Sequence, residues 1–159
     1  MAVILRRMLR IGALPDDMRA QVDAEGLWYL AEFVPVTYRF SGQVPGKSAA
    51  KEIRSYVGAL AFTSQRVLAT LSTVPKRAGR TIDQRWDGAQ TGAASAEISS
   101  AGVKLGVDLG RVDPRFRGHL ELKYKSAISS DVLTMLPTLF LAYDVPPEYV
   151  LRTVGVPWR

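Results

Sequence analysis

Val34, Val36, Tyr38 and Phe40 alternate with Pro35, Thr37 and Arg39. A period of two marks a strand that buries one face. The pattern recurs along the chain. Strand-like apolar runs cover 53–62 and 66–72, and Ile82 and Trp86 share one face of 81–86. Val103, Leu105, Val107 and Leu109 alternate with Lys104, Gly106 and Asp108. Leu120, Leu122 and Tyr124 alternate with His119, Glu121, Lys123 and Lys125. With a short run at 95–99 the strands number about seven, joined by loops of Gly, Pro or Ser. No helical period separates them, so a parallel sheet with crossover helices does not fit. The expected fold class is mainly β (α+β), an antiparallel barrel or sandwich with helices packed at its ends. Pro35 offers no N–H, which places its strand at an edge or breaks it there.

Helical signals flank this β region in a single domain, 1–159. Residues 2–11 form a basic amphipathic pattern, and Pro15-Asp16-Asp17 opens a second helix that Gly26 ends. Residues 1–26 therefore read as a helical N-terminal extension before a barrel over 27–126. A C-terminal helical region is expected over 129–155. It starts at Ser129-Ser130-Asp131, carries Val132, Leu133, Leu136, Leu139 and Phe140 at helical spacing, and is kinked or ended by Pro137. Pro146-Pro147 begins a last helix that Gly155 stops.

With no cysteine, disulfides, thiol catalysis and cysteine-held metals are excluded. No apolar run approaches the roughly 20 residues of a membrane helix. The Ala2–Leu5 stretch is too short for the core of an export signal. The expected location is cytoplasmic, with attachment at a membrane periphery as an option. His119 is the lone histidine, on the polar face of its strand beside Glu121. It has no partner for nucleophilic catalysis. Carboxylates at Asp16, Asp17, Asp108 and Asp113 lack calcium-loop spacing. No metal, cofactor or catalytic residue is expected.

Gly46-Lys47-Ser48 evokes a phosphate-binding loop, but such a loop needs glycine at position 41, where Ser41 stands. A Pro-Gly turn explains it better. Trp28, Tyr29, Tyr38, Tyr56 and Trp86 fit the core or the barrel ends rather than an exposed stacking face, so nucleic acid is not an expected partner.

The net charge of +6 is unevenly spread. Between 39 and 80, Arg39, Lys47, Lys51, Arg54, Arg66, Lys76, Arg77 and Arg80 face Glu52 alone. In a meander, alternate connections share one end of the sheet. Lys47, Lys51 and Arg54 should then converge with Lys76, Arg77 and Arg80 on an anionic group.

The stretch Gly58-x-Leu60-x-x-Thr63-x-x-Arg66-Val67-Leu68 resembles the hairpin of bacterial PH-like and GRAM-like domains. The resemblance implies a seven-stranded, partly open barrel capped by a helix, which binds membranes or proteins and performs no catalysis. The N-terminal helical segment and the long tail depart from a minimal domain of this kind. The leading expectation is a non-catalytic binding module whose basic loops contact an anionic lipid surface or an acidic protein partner. One alternative is an oligomerising adaptor that buries the apolar N-terminal segment and the Leu- and Phe-rich tail between copies. Another is a small-ligand barrel or enzyme with an interior pocket. Thr63 is expected to bond turn backbone. Arg66 is expected at the end opposite the basic loops, serving stability rather than binding.

Overall fold

Alternation from Leu27 onward becomes strand in the computed structural model, which describes residues 12–72, 79–88 and 90–156. The expected helix at 2–11 lies outside these residues, as do Lys76 and Arg77. Helix α1 (Asp16–Ala24) precedes β1 (Leu27–Val44), β2 (Lys47–Thr63), β3 (Arg66–Ser72) and β4 (Gly79–Arg85). Then come β5 (Ala94–Ser99), β6 (Gly102–Asp108), a 3-10 turn at Leu109–Arg111, and β7 (Arg117–Lys125). Helix α2 (Ser130–Met135), strand β8 (Phe140–Tyr143) and helix α3 (Pro147–Val154) complete the order.

The eight strands form one antiparallel, nearly closed barrel in the order β4-β3-β2-β1-β7-β6-β5-β8. Val36, Tyr38, Phe40, Leu60, Phe62, Leu105, Leu122 and Tyr124 fill its interior, each at most 2 % exposed. Strand β2 departs from alternation over Ala59–Phe62 because both its faces are covered. Leu60 and Phe62 point into the barrel. Ala59 and Ala61 point outward and, with Leu68, receive Leu14, Met18 and Val22 from α1 and its approach. Small side chains at 59 and 61 let the helix sit close, and each large side chain it buries contributes about 2 kcal/mol.

Three expectations are corrected. The tail supplies an eighth strand, Phe140–Tyr143, between the two helical pieces expected over 129–155. Ser129 caps α2 by accepting from Val132 N at 3.3 Å, and the helix ends before Pro137. Phe140–Tyr143 then pairs with β5, Ala94 opposite Tyr143. The barrel thus extends beyond 27–126. Second, residues 47–52 are strand rather than loop, and the β1–β2 connection is a turn at 45–46. Third, Pro35 lies in an internal strand, but the β1–β7 ladder starts one residue later at Val36↔Tyr124. At Pro35 the strand is in register with Val57 of β2 and has no partner on its β7 side, so β1 is locally an edge there.

Edges β4 and β8 do not pair with each other. Helix α3 reaches across to β4, where Tyr149 Oη donates to Thr81 O at 2.7 Å and Arg152 Nη2 to Arg80 O at 3.4 Å. Gly155 takes a left-handed φ of 89° and ends the helix as read from sequence.

The 63–66 turn is braced from several sides. Thr63 Oγ1 accepts from Gln65 N and Arg66 N at 3.0 Å each and donates to Glu25 Oε1 at 2.9 Å. Arg66 pairs with Glu25 at 2.8 Å and Asp83 at 3.0 Å. Trp86 Nε1 donates to Thr63 O at 2.8 Å. At Gly58 a Cβ would stand 2.0 Å from Thr70 O and 3.1 Å from the Tyr124 ring, so this glycine of the hairpin motif makes room for a core tyrosine. Glu25 is 10 % exposed, and removing Arg66 leaves a nearly buried carboxylate with neutral hydrogen-bond donors but no counter-charge. Arg66→Ala is expected to cost about 3 kcal/mol, read as a lower urea midpoint at unchanged slope. An unchanged midpoint would refute the brace.

Candidate functional site

Among the described cations of 39–80, four of six, Lys47, Arg54, Arg66 and Arg80, are committed to a few carboxylates. Glu52 is the first hub. Its Oε1 accepts from Tyr38 Oη and Lys47 Nζ at 2.8 Å each, and its Oε2 accepts from Arg54 Nη2 at 3.2 Å. Burial works to raise the Glu52 carboxyl, but the hydrogen bonds from Lys47, Tyr38 and Arg54 outweigh it and hold the pKa at about 2. Lys47 also donates to Val154 O, a free carbonyl at the C-terminus of α3, at 2.7 Å. Gly46-Lys47-Ser48 is accordingly the return of a hairpin with its ammonium spent, and no helix follows it.

Asp83 is the second hub. Arg80 pairs with it and donates to Gln21 Oε1 at 3.1 Å, while Arg66 reaches it from the neighbouring strand. Arg80 and Arg66 therefore share a carboxylate and are not separated by the length of the sheet. Lys51 is exposed in the irregular stretch of β2 opposite Ser41, without a side-chain partner among the described residues. The structure brings Lys47 and Arg54 together on Glu52 and sets Arg80 across α3 from Lys47. It shows no convergence of Lys47, Lys51, Arg54 and Arg80 on one point, and Lys76 and Arg77 lie outside the described residues.

A different set of cations lines one groove, with Lys123 between Arg39 and Lys125. Outward-facing residues of β1 and β7 line an open groove of about 740 Å³. Arg39 comes from β1, Lys123 and Lys125 from β7. Register sets their spacing: Thr37 lies opposite Lys123 and Arg39 opposite Glu121. Arg39 is thus diagonal to Lys123 at about 7 Å, and Lys125 stands two residues on, also about 7 Å away. All three are exposed, and none has a hydrogen-bond or ion-pair partner for its side chain among the described residues. Ser100 and Ala101, in the β5–β6 turn, form one wall with Ser126 and Ala127. Tyr29 fixes that wall by bonding Ser126 Oγ and donating to Ala127 O at 3.2 Å. Pro35 lines the groove at this same end, and Arg39 lies at the other.

No carboxylate lines this groove. Counting charge by segment misses it, because Arg39 lies in the basic half and Lys123 and Lys125 in the half whose charges balance. The alternation of 119–125 already put both lysines on an exposed face, and only strand order supplies Arg39 beside them.

No family model, curated protein or solved structure matches the chain.

The Glu52 hub carries a pH signature. Its carboxyl titrates near its ordinary 4.5 when unfolded and near 2 when folded. The group therefore stabilises the fold fully above that ordinary value, and the contribution is lost as pH falls toward 2. Melting temperatures measured between pH 5 and pH 2 should fall more steeply for the native chain than for Glu52→Gln. Parallel slopes would remove Glu52 from the acid transition.

Proposed function

We propose that the chain is a non-catalytic binding module, PH-like in the sense of its 58–68 hairpin, that engages an anion-bearing partner through the β1–β7 groove. The observation that carries this reading is the contrast between committed and uncommitted cations. Lys47, Arg54, Arg66 and Arg80 are tied to Glu52, Glu25 and Asp83. Arg39, Lys123 and Lys125 follow one another along an open groove that no carboxylate lines. Cations held in place and left unpaired attract anions and set orientation on encounter. An anionic membrane surface and an acidic protein segment both meet that requirement.

A second reading, self-association, has one observation of its own. Met135, Leu139 and Phe140 are 45–48 % exposed beside edge strand β8. A concentration-independent monomer by light scattering would end it.

Co-sedimentation with phosphatidylglycerol vesicles and titration with a labelled poly-glutamate peptide test the binding reading. Each cation near an anionic surface is worth about 1 kcal/mol, so Arg39→Ala with Lys123→Ala should weaken binding about tenfold or more. Arg115→Ala, whose guanidinium is paired with Asp113, should leave binding near native. Loss of binding on replacing Lys76, Arg77 and Arg80, with the groove variant still binding, would move the site back to the loops.

A further inference from the structure

Building on the binding-module reading, we infer that residues 2–11 are an interfacial anchor, a basic amphipathic helix that folds onto an anionic lipid surface beside the β1–β7 groove. The pattern of the segment is the first observation. At about 100° per residue, Ile4, Leu5, Met8, Leu9 and Ile11 fall within one half of a helical wheel. Arg6, Arg7 and Arg10 fall in the other half, with Val3 among them. No acidic residue occurs before Asp16. Apolar side chains on one face and arginines on the other suit the boundary between acyl chains and anionic headgroups. An isolated helix this short is marginal in water, so the segment needs a surface to fold on.

The place where the segment joins the fold is the second. Gly12 O accepts from Phe33 N at 2.8 Å, and Leu14 N donates to Glu32 Oε2 at 2.7 Å. Ala13 and Leu14 are buried. Gly12 lies so close to β2 that a Cβ would stand 2.1 Å from Val57 Cγ1. Phe33 takes a left-handed φ of 58°, strained for a bulky residue, at the β1 bulge that receives this root. Val57 is paired with Pro35, and paired residues face the same side of a sheet. The segment therefore leaves the barrel on its outer face, one strand from the Pro35 and Lys125 end of the groove. From that end Lys125, Lys123 and Arg39 follow in steps of about 7 Å. Glu121 stands opposite Arg39, whereas Lys123 faces Thr37 and Lys104, and Lys125 faces Gly102. The positive charge nearest the root is thus the least offset. Anchor and groove together supply the two contributions on which interfacial binding scales, buried apolar area and attraction to anionic lipid.

The chain has no cysteine, so one introduced thiol can carry a reporter. The full chain with Leu5→Cys, Met8→Cys, Arg6→Cys or Arg10→Cys is labelled with an environment-sensitive fluorophore. Each is mixed with phosphatidylglycerol or phosphatidylcholine vesicles. With phosphatidylglycerol, labels at positions 5 and 8 should brighten several-fold and those at 6 and 10 little. With phosphatidylcholine, none should respond. A uniform response at the four positions, or no response, overturns the anchor. So does a signal at 5 and 8 that is high without vesicles and unmoved by them, because the segment then packs on the barrel. Leu5→Asp with Met8→Asp should weaken phosphatidylglycerol binding about tenfold or more, with the melting midpoint and poly-glutamate binding near native. The anchor and the groove fail separately. Vesicle binding that survives the two aspartates and depends on Arg39 and Lys123 keeps the groove and removes the anchor. A label response that persists, with vesicle and poly-glutamate binding indifferent to Arg39→Ala with Lys123→Ala, keeps the anchor and removes the groove. Loss of poly-glutamate binding in Arg6→Gln with Arg10→Gln, at unchanged vesicle binding, assigns the segment to an acidic protein and overturns the lipid.

Discussion

The β1–β7 ladder is the contact on which the barrel depends. Strands β1 to β4 form one four-stranded half and β5 to β8 the other. Among the described residues the one ladder between them runs from Val36↔Tyr124 to Gln43↔Arg117. Its register decides two things at once. Inward, it sets Val36, Tyr38 and Phe40 against Leu120, Leu122 and Tyr124 in the core. Outward, it sets Thr37 and Arg39 beside Lys123. Side chains alternate strictly across a strand, so the arrangement of the outer cations is inherited from the packing of the inner apolar residues. Close to the end of this ladder Gly42 pairs with Gly118, and a Cβ on either would stand 2.0 Å from a carbonyl oxygen across the interface. The two strands approach too closely there for any side chain.

Charged residues in this protein fall into two classes that composition does not separate. Glu52 and Asp83 each gather two cations, and Glu25 gathers Arg66 together with the Thr63 hydroxyl. Glu25 links α1 to β3, Asp83 links β3 to β4, and Glu52 anchors the β1–β2 hairpin while Lys47 reaches the end of α3. Such partly buried, shared carboxylates hold the architecture. The cations of the groove have no such employment, and this difference distinguishes a candidate site from a solvated basic surface.

Strand content was legible because one buried face imposes a period of two, and the flanking helices α1 and α3 were legible from their first-turn prolines and acids and their terminal glycines. Strand β8 was not. Four residues after a proline are too few to show alternation, and Leu139 and Phe140 extend the helical spacing of Val132 and Leu136 by coincidence. The role of Thr63 in bracing the turn was readable from turn chemistry. The spending of Lys47, Arg54 and Arg80 on internal carboxylates was not, since ion pairing depends on register and bulges. Nor was the groove, whose halves come from strands adjacent in space but far apart along the chain.

That separation bears on synthesis. Residues 36–43 are made long before residues 117–124, and their ladder closes a loop that contains five other strands. Until β7 emerges, one side of β1 is an unpaired strand edge next to uncovered apolar residues, the kind of surface that recruits other chains. Contacts of such long range also slow folding, because chain entropy is lost before they form. Arg39 and Pro35 lie on or beside that waiting edge, where charge and a missing N–H discourage wrong pairing. The residues that shape the groove in the finished barrel would thus guard its most exposed edge while the barrel is incomplete.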